Sequence, residues 1–168
     1  MSVRNVLILC TGNSARSILG EALIDLRGGG RFRGHSAGSH PRGQVNPFAL
    51  ELLRAKNLPT GHLRSKPWDA FATADAPRMD FIFTVCDEAA GEPCPIWPGH
   101  PATAHWGLPD PAGVGSDDAA RRRAFADAWT ILDHRVKLFL ALPFDTLDAT
   151  ALKARLADIG RAQPETMR

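Results

Sequence analysis

A thiol, five small or polar residues, an arginine and a hydroxyl follow one another in Cys10-Thr11-Gly12-Asn13-Ser14-Ala15-Arg16-Ser17. That order suits the capture of a tetrahedral oxyanion. Small residues from Thr11 to Ala15 let successive backbone N–H groups turn inward as an anion nest, and an adjoining helix N-terminus adds partial positive charge. Arg16 supplies a rigid two-pronged donor for two oxygens of phosphate or arsenate. The same field is expected to stabilise a thiolate at Cys10, lowering its pKa and making it a nucleophile, with Ser17 within reach to hydrogen-bond it. A Cys-x5-Arg spacing alone arises by chance in many chains. It gains weight here from its setting between an apolar run and a helical pattern.

Two more thiols stand in Val85-Cys86-Asp87-Glu88-Ala89-Ala90-Gly91-Glu92-Pro93-Cys94-Pro95. Hydrolysis of a phosphocysteine needs water and an acid, whereas reduction of a bound oxyanion needs electrons. A second thiol attacking the cysteine adduct releases the reduced oxyanion and leaves a disulfide, which a third thiol carries outward by exchange. Cys86 and Cys94 are eight positions apart. They must therefore fold back from a possible span of roughly 26–29 Å to the roughly 4.4–6.8 Å that a disulfide allows. Gly91 makes that motion feasible. The plainer readings are a buried strand-end cysteine at 86 and an incidental loop thiol at 94. A zinc site from Cys86, Cys94, His100 and His105 lacks the paired short intervals of common zinc sites, and neither a metal nor a cofactor is expected. Asp110, between Pro109 and Pro111, is either a turn former or an acid placed to protonate a leaving oxygen.

These residues need a frame. Asn5 to Leu9 reads as a strand that breaks into the Cys10 loop, and apolar residues at Ile18, Leu19, Ala22, Leu23 and Leu26 mark a helix ended by Gly28, Gly29 and Gly30. A second strand covers Arg31 to Ala37 and closes at Gly38. Asn46 caps a helix from Pro47 to Lys56. Asp80 to Val85 is a third, buried strand. The stretch from Cys86 to Asp117 is loop-rich around a brief His105-Trp106-Gly107 element, and long loops are usually functional. A long helix from Ser116 or Asp117 to about Leu140 carries Phe125, Trp129, Leu132, Val136 and Leu140 on one stripe. A last helix lies within about 145–160. Alternating strands and helices imply a small doubly wound, flavodoxin-like α/β domain over 1–168, with a four-stranded parallel sheet and helices on both faces. Ligands bind beyond the carboxyl ends of such strands, where the Cys10 loop falls.

Composition narrows the class. A chain of 168 residues that is 44% apolar and 23% charged is an ordinary globular protein. A net charge of +2 is too weak and too evenly spread for a nucleic-acid stripe or a membrane anchor, and Arg121, Arg122 and Arg123 read as a solvated helix face. Four apolar residues before Cys10 fall short of the roughly 7–15 of a secretory h-region, and no run approaches the roughly 18 of a membrane span. A reducing, cytoplasmic location is expected, in which three cysteines are thiols rather than a permanent framework.

The run Val6 to Ser17 resembles the signature of low-molecular-weight tyrosine phosphatases and of their relatives, the thioredoxin-coupled arsenate reductases. Ser36-Ala37-Gly38 and His105-Trp106-Gly107-Leu108-Pro109-Asp110-Pro111 are similar to later blocks, and the resemblance spans about Asn5 to Leu140. It implies that Cys10 is the nucleophile, Asp110 the acid, Cys86 the second thiol and Cys94 the resolving thiol, with thioredoxin as reductant. Ala15 stands where many relatives have a cysteine, and a small residue suffices for the nest there; the Cys86–Cys94 interval is one residue longer, which leaves glutaredoxin with glutathione, or another low-molecular-weight thiol, open as reductant. Several such reductases bind potassium through an asparagine like Asn13, a serine like Ser36 and an aspartate. Here Arg64-Ser65-Lys66 replaces the aspartate region, and the Lys66 ammonium is expected to take the cation's place and order Asn13. The alternatives are a phosphomonoester or phosphotyrosine phosphatase working through a phosphocysteine, and a non-catalytic oxyanion sensor. The chain has no tyrosine, and Ala112 follows the Asp-Pro pair, so Phe48 and Trp68 remain as candidate aromatic walls.

Overall fold

The computed structural model describes residues 3–86, 100–113 and 117–165. β1 (Arg4–Cys10), β2 (Phe32–Gly38), β3 (Phe81–Thr84) and β4 (Ala102–His105) form one sheet in the order β2-β1-β3-β4. All pairings are parallel, and the register aligns Cys10 with Gly38, Leu9 with Thr84, and Thr84 with His105. One sheet edge thus gathers the carboxyl ends of the four strands.

Alternation along β1 divides the core in two. Val6 and Ile8 face a large apolar cluster fed by four helices: α1 (Arg16–Arg27), α2 (Pro47–Ala55), α3 (Asp118–Leu140) and α4 (Ala149–Ile159). Leu7 and Leu9 face a smaller cluster with Ala37, Met79 and Ile82, covered by Trp68 and Phe71 of a short 3₁₀ turn. Helical elements cover both faces, four on one side and a single 3₁₀ turn among the described residues on the other. The doubly wound α/β architecture predicted from the alternating pattern is the one the chain adopts.

The helix starts follow capping chemistry. Asn46, Asp117 and Asp148 each accept a backbone N–H, from Phe48 at 2.9 Å, Ala120 at 2.8 Å and Ala151 at 2.7 Å. On α3 the predicted stripe is displaced at its end: Phe139 is fully buried and Leu140 half-buried, because Phe139 enters an aromatic cluster with Phe32, Phe81, Phe83 and Trp106. Trp106 stacks on Phe83 with ring centres 3.9 Å apart. Its indole N–H donates to the Leu156 carbonyl at 3.0 Å, tying the exit of β4 to α4.

Candidate active site

In the loop between Cys10 and α1 the Thr11 and Gly12 N–H groups are engaged by the sulfurs of Cys86 and Cys10, and those of Asn13 to Ala15 have no acceptor among the described residues. Ala15, at the N-cap of α1, offers no side-chain acceptor to the first turn, so those amides keep their capacity and the helix dipole is exposed to the loop. Asn13 is wholly buried with φ of 44°, the left-handed conformation that reverses successive amides in a nest. The loop carbonyls are drawn to the other side. His40 N–H donates to Thr11 at 2.9 Å, Arg42 N–H to Gly12 at 3.0 Å, and Asn46 N–H to Ser14 at 2.9 Å. Ser65 Oγ also donates to Gly12 at 3.1 Å. Gly38 explains its own place in the Ser36-Ala37-Gly38 block, since a Cβ there would lie 2.4 Å from the Thr11 carbonyl oxygen.

Cys10 and Cys86 are both buried and meet at the base of this loop, where their sulfurs share a hydrogen bond. Thr11 N–H donates to Cys86 Sγ at 3.2 Å, and the Thr11 hydroxyl lies 3.4 Å from the same sulfur. This contact overturns the expectation of a depressed Cys10 pKa. The thiol is pushed up, first by its hydrogen bond to Cys86 and next by burial, against the smaller downward pulls of Arg16 and the Gly12 N–H. Charge on one of two neighbouring sulfurs opposes charge on the other, which adds to the upward push on Cys10. Ser17 does not hydrogen-bond Cys10 as expected. Its buried hydroxyl instead receives the Asn13 amide at 2.8 Å, because the left-handed turn folds Asn13 back over the start of α1.

Arg16 leaves the first turn of α1 and reaches across the strand ends. Its Nη1 donates to the Leu108 carbonyl at 2.8 Å and to that of Val85 at 3.4 Å, while Nη2 lies 3.8 Å from Asp110 Oδ2. Its Nε is buried with no hydrogen-bond partner among the described residues. A buried charged donor without an acceptor is costly, and a bound oxyanion is the acceptor this site can take. Asp110 forms the turn the sequence allowed, with Oδ1 accepting Ala112 N–H at 2.9 Å, and its carboxylate borders the Cys10 cavity.

That cavity has a volume of about 1170 Å³ and is rimmed by His40, Arg42 and Arg161 besides Arg16 and Asp110. No Phe or Trp is among its described lining residues. The expectation for Phe48 and Trp68 fails, since Phe48 packs on Phe125 and under Arg122, and Trp68 belongs to the far face of the sheet.

Asn13 is ordered by Lys66, through a different atom from the one expected. The Lys66 backbone N–H donates to Asn13 Oδ1 at 2.9 Å, while its ammonium donates to the Arg64 carbonyl at 2.9 Å and sits 3.9 Å from Glu21 Oε1. Ser36 Oγ donates to that same carboxylate oxygen at 2.5 Å. Sequence reasoning missed Glu21, although an acid inside the apolar stripe of α1 was a signal. Burial pushes its carboxyl up, with Ser36 and Lys66 pulling it back. Glu21, Asp25 and His62 bring one ligand atom each within 4.8 Å of one another, outside the cysteine and histidine set weighed for zinc. Cys94 lies outside the described residues.

The chain matches the model of the low molecular weight phosphotyrosine protein phosphatase family over residues 5–153. It is 30% identical over 139 residues to an arsenate reductase of Bacillus licheniformis, covering 83% of this chain and 96% of that one. Among solved structures it resembles an arsenate reductase of Archaeoglobus fulgidus at 28% identity and TM-score 0.61, covering 82% of this chain and 99% of that one. It also resembles a thioredoxin-dependent arsenate reductase of Corynebacterium glutamicum at 27% identity and TM-score 0.59, covering 80% of this chain and spanning 59% of that one. With the Cys10 loop, Arg16 and the Asp110 turn all falling inside the matched stretch, the chain belongs to the low molecular weight phosphotyrosine protein phosphatase family.

Proposed function

We propose that this chain reduces arsenate to arsenite through a relay of Cys10, Cys86 and Cys94. The observation that carries the reading is the contact between Cys10 and Cys86 beneath the nest, a second thiol for which phosphoester hydrolysis has no use. The oxyanion is held by the loop amides from Thr11 to Ala15 and by Arg16. Cys10 attacks arsenic, the S–As bond forms, and the departing oxygen leaves as water with a proton from Asp110. Cys86 then attacks the Cys10 sulfur; the S–S bond forms, the S–As bond breaks, and its electron pair stays on arsenic, which leaves as arsenite. Cys94 attacks Cys86, freeing Cys10, and an external dithiol reduces the Cys86–Cys94 disulfide. Ser17 acts through Asn13, holding the nest. The named relatives support the substrate, and the Corynebacterium glutamicum protein supports a thioredoxin as the dithiol. Such a relay requires a reducing, cytoplasmic setting, and no helix among the described residues is long and apolar enough to cross a membrane.

The loss of proton affinity that Cys10 needs comes with substrate. An oxyanion in the nest engages Arg16 and displaces the thiol pair from its mutual hydrogen bond, so activation is coupled to binding. Lys66, with its ammonium at Glu21 and its amide at Asn13, substitutes for a monovalent cation, so turnover is the same in potassium and sodium salts.

The test couples arsenate, a thioredoxin system and NADPH to the reduced protein, with an aryl phosphate assayed in parallel. NADPH oxidation that both Cys86→Ser and Cys94→Ser abolish is expected. Vigorous aryl-phosphate hydrolysis untouched by Cys94→Ser, with no arsenite formed, overturns the relay in favour of a phosphatase. Phosphate binding without turnover of either substrate makes the chain an oxyanion sensor.

A further inference from the structure

Arg135, in the second turn from the end of α3, is 3% exposed, yet no carboxylate among the described residues pairs with it. A buried guanidinium without a counter-ion is costly unless carbonyl oxygens take up its donors. Three do. Nη1 donates to the Trp106 carbonyl at 2.7 Å and to the Gly107 carbonyl at 3.1 Å, and Nε donates to the Ala162 carbonyl at 3.1 Å. The next carbonyl along, Leu108, receives Nη1 of Arg16 at 2.8 Å. Three consecutive carbonyls, from Trp106 to Leu108, are therefore each gripped by an arginine, two by a residue of the core and one by the residue that faces the cavity. Two positions further is Asp110, 3.8 Å from Arg16 Nη2.

We propose that Arg135 is a positioning residue for the oxyanion site: it fixes the Trp106–Leu108 backbone, and that backbone fixes Arg16 and Asp110 against the nest. The inference rests on the reading of Arg16 as an oxyanion ligand. A hydrophobic side chain of similar length fills the space left by Arg135 and often stabilises a core, so packing alone does not call for a cation here. What only the planar fork supplies is a set of divergent donors that reach two chain segments at once. Those segments are the exit of β4 and the residues after α4. The second one extends beyond residue 153, where the family match ends, and Arg161 within it reaches the cavity rim. Gly160 seals the same junction, since a Cβ there would lie 2.2 Å from the His105 carbonyl oxygen. Arg135 acts without touching substrate, through a backbone that carries one arginine anchor and one carboxylate.

The test uses full-length Arg135→Met and Arg135→Lys, with Leu142→Ala as a control that removes core packing at the amino end of the sheet. Inorganic phosphate affinity is measured by calorimetry, and kcat and KM for arsenate by the coupled assay, each beside a thermal melt. Arg135→Met is expected to weaken phosphate binding about tenfold and to raise KM by a similar factor. Arg135→Lys, which keeps the charge and loses the fork, falls in between, and Leu142→Ala lowers the melting temperature without changing phosphate affinity. Should Arg135→Met not fold, Arg135→Lys alone decides. Wild-type phosphate affinity and KM in a folded Arg135 variant, or an equal loss of affinity in Leu142→Ala, overturns the proposal. A wild-type chain that binds phosphate but reduces no arsenate refutes the relay instead, and the phosphate affinities still decide the role of Arg135.

Discussion

Replacing Asn13 by glycine and by alanine separates two contributions that meet at one residue. Both variants lose the amide that donates to Ser17 Oγ at 2.8 Å and the oxygen that accepts Lys66 N–H at 2.9 Å. The partners are left behind in a buried site, and at about 1–2 kcal/mol each this costs about 3 kcal/mol in either variant. Alanine adds a further cost, because at φ of 44° its Cβ meets the following carbonyl, whereas glycine is at ease there. That difference is roughly 1 kcal/mol. In a chain of 168 residues 1 kcal/mol moves the melting temperature by roughly 2–4 °C. Asn13→Gly should therefore melt about 6–12 °C below wild type and Asn13→Ala about 2–4 °C lower again. Phosphate affinity, read by calorimetry below both transitions, should fall more in the alanine variant, since a relaxed φ turns a nest amide away from the ligand. Equal melting temperatures and equal phosphate affinities for the two variants would refute the claim that the left-handed turn at residue 13 shapes the nest.

Two further outcomes follow from the geometry. Gly38→Ala drives a Cβ to 2.4 Å from the Thr11 carbonyl, so the loop must shift; arsenate KM should rise at least tenfold, and unchanged kinetics in a folded Gly38→Ala protein would contradict the close packing of β2 on the nest. His35 is held down to about 4 by burial, then by Arg33 and Lys66, against its usual 6.5. The unfolded chain takes up the proton between those values and the folded chain does not, so stability present above pH 6.5 is lost as pH falls toward 4. Urea titrations from pH 7 to 4 should show a flatter decline in His35→Gln, and an identical slope would remove His35 from the account.

Much of the architecture was legible because it depends on local pattern. The apolar run of β1 and the three- and four-residue spacing of α1 are periodic over enough residues to identify their elements. Asn46 and Asp117 announce helix starts through the chemistry of their own side chains. β4 was harder. Ala102 to His105 is a short strand of small and polar residues, recruited by pairing with β3 rather than by any pattern of its own. Phe139 took the place foreseen for Leu140 because aromatic packing on Phe81 and Phe83 decided which residue of the last turn faces inward.

The types and spacing of Cys10 to Ser17, in their place between a strand and a helix, were enough to raise the expectation of an oxyanion site beside a thiol, because amide-rich loop, guanidinium fork and thiol are contiguous in the chain. Tertiary structure decided how those groups are poised. Cys86 arrives from the end of β3 and raises the Cys10 thiol instead of leaving it to the loop's positive field. Glu21 takes Ser36 and the Lys66 ammonium, leaving a backbone amide to hold Asn13. Arg135 holds a loop many residues away from it in sequence. A pKa and a hydrogen-bond partner depend on what lies within a few ångströms, and for a buried site most of that comes from other elements of the fold.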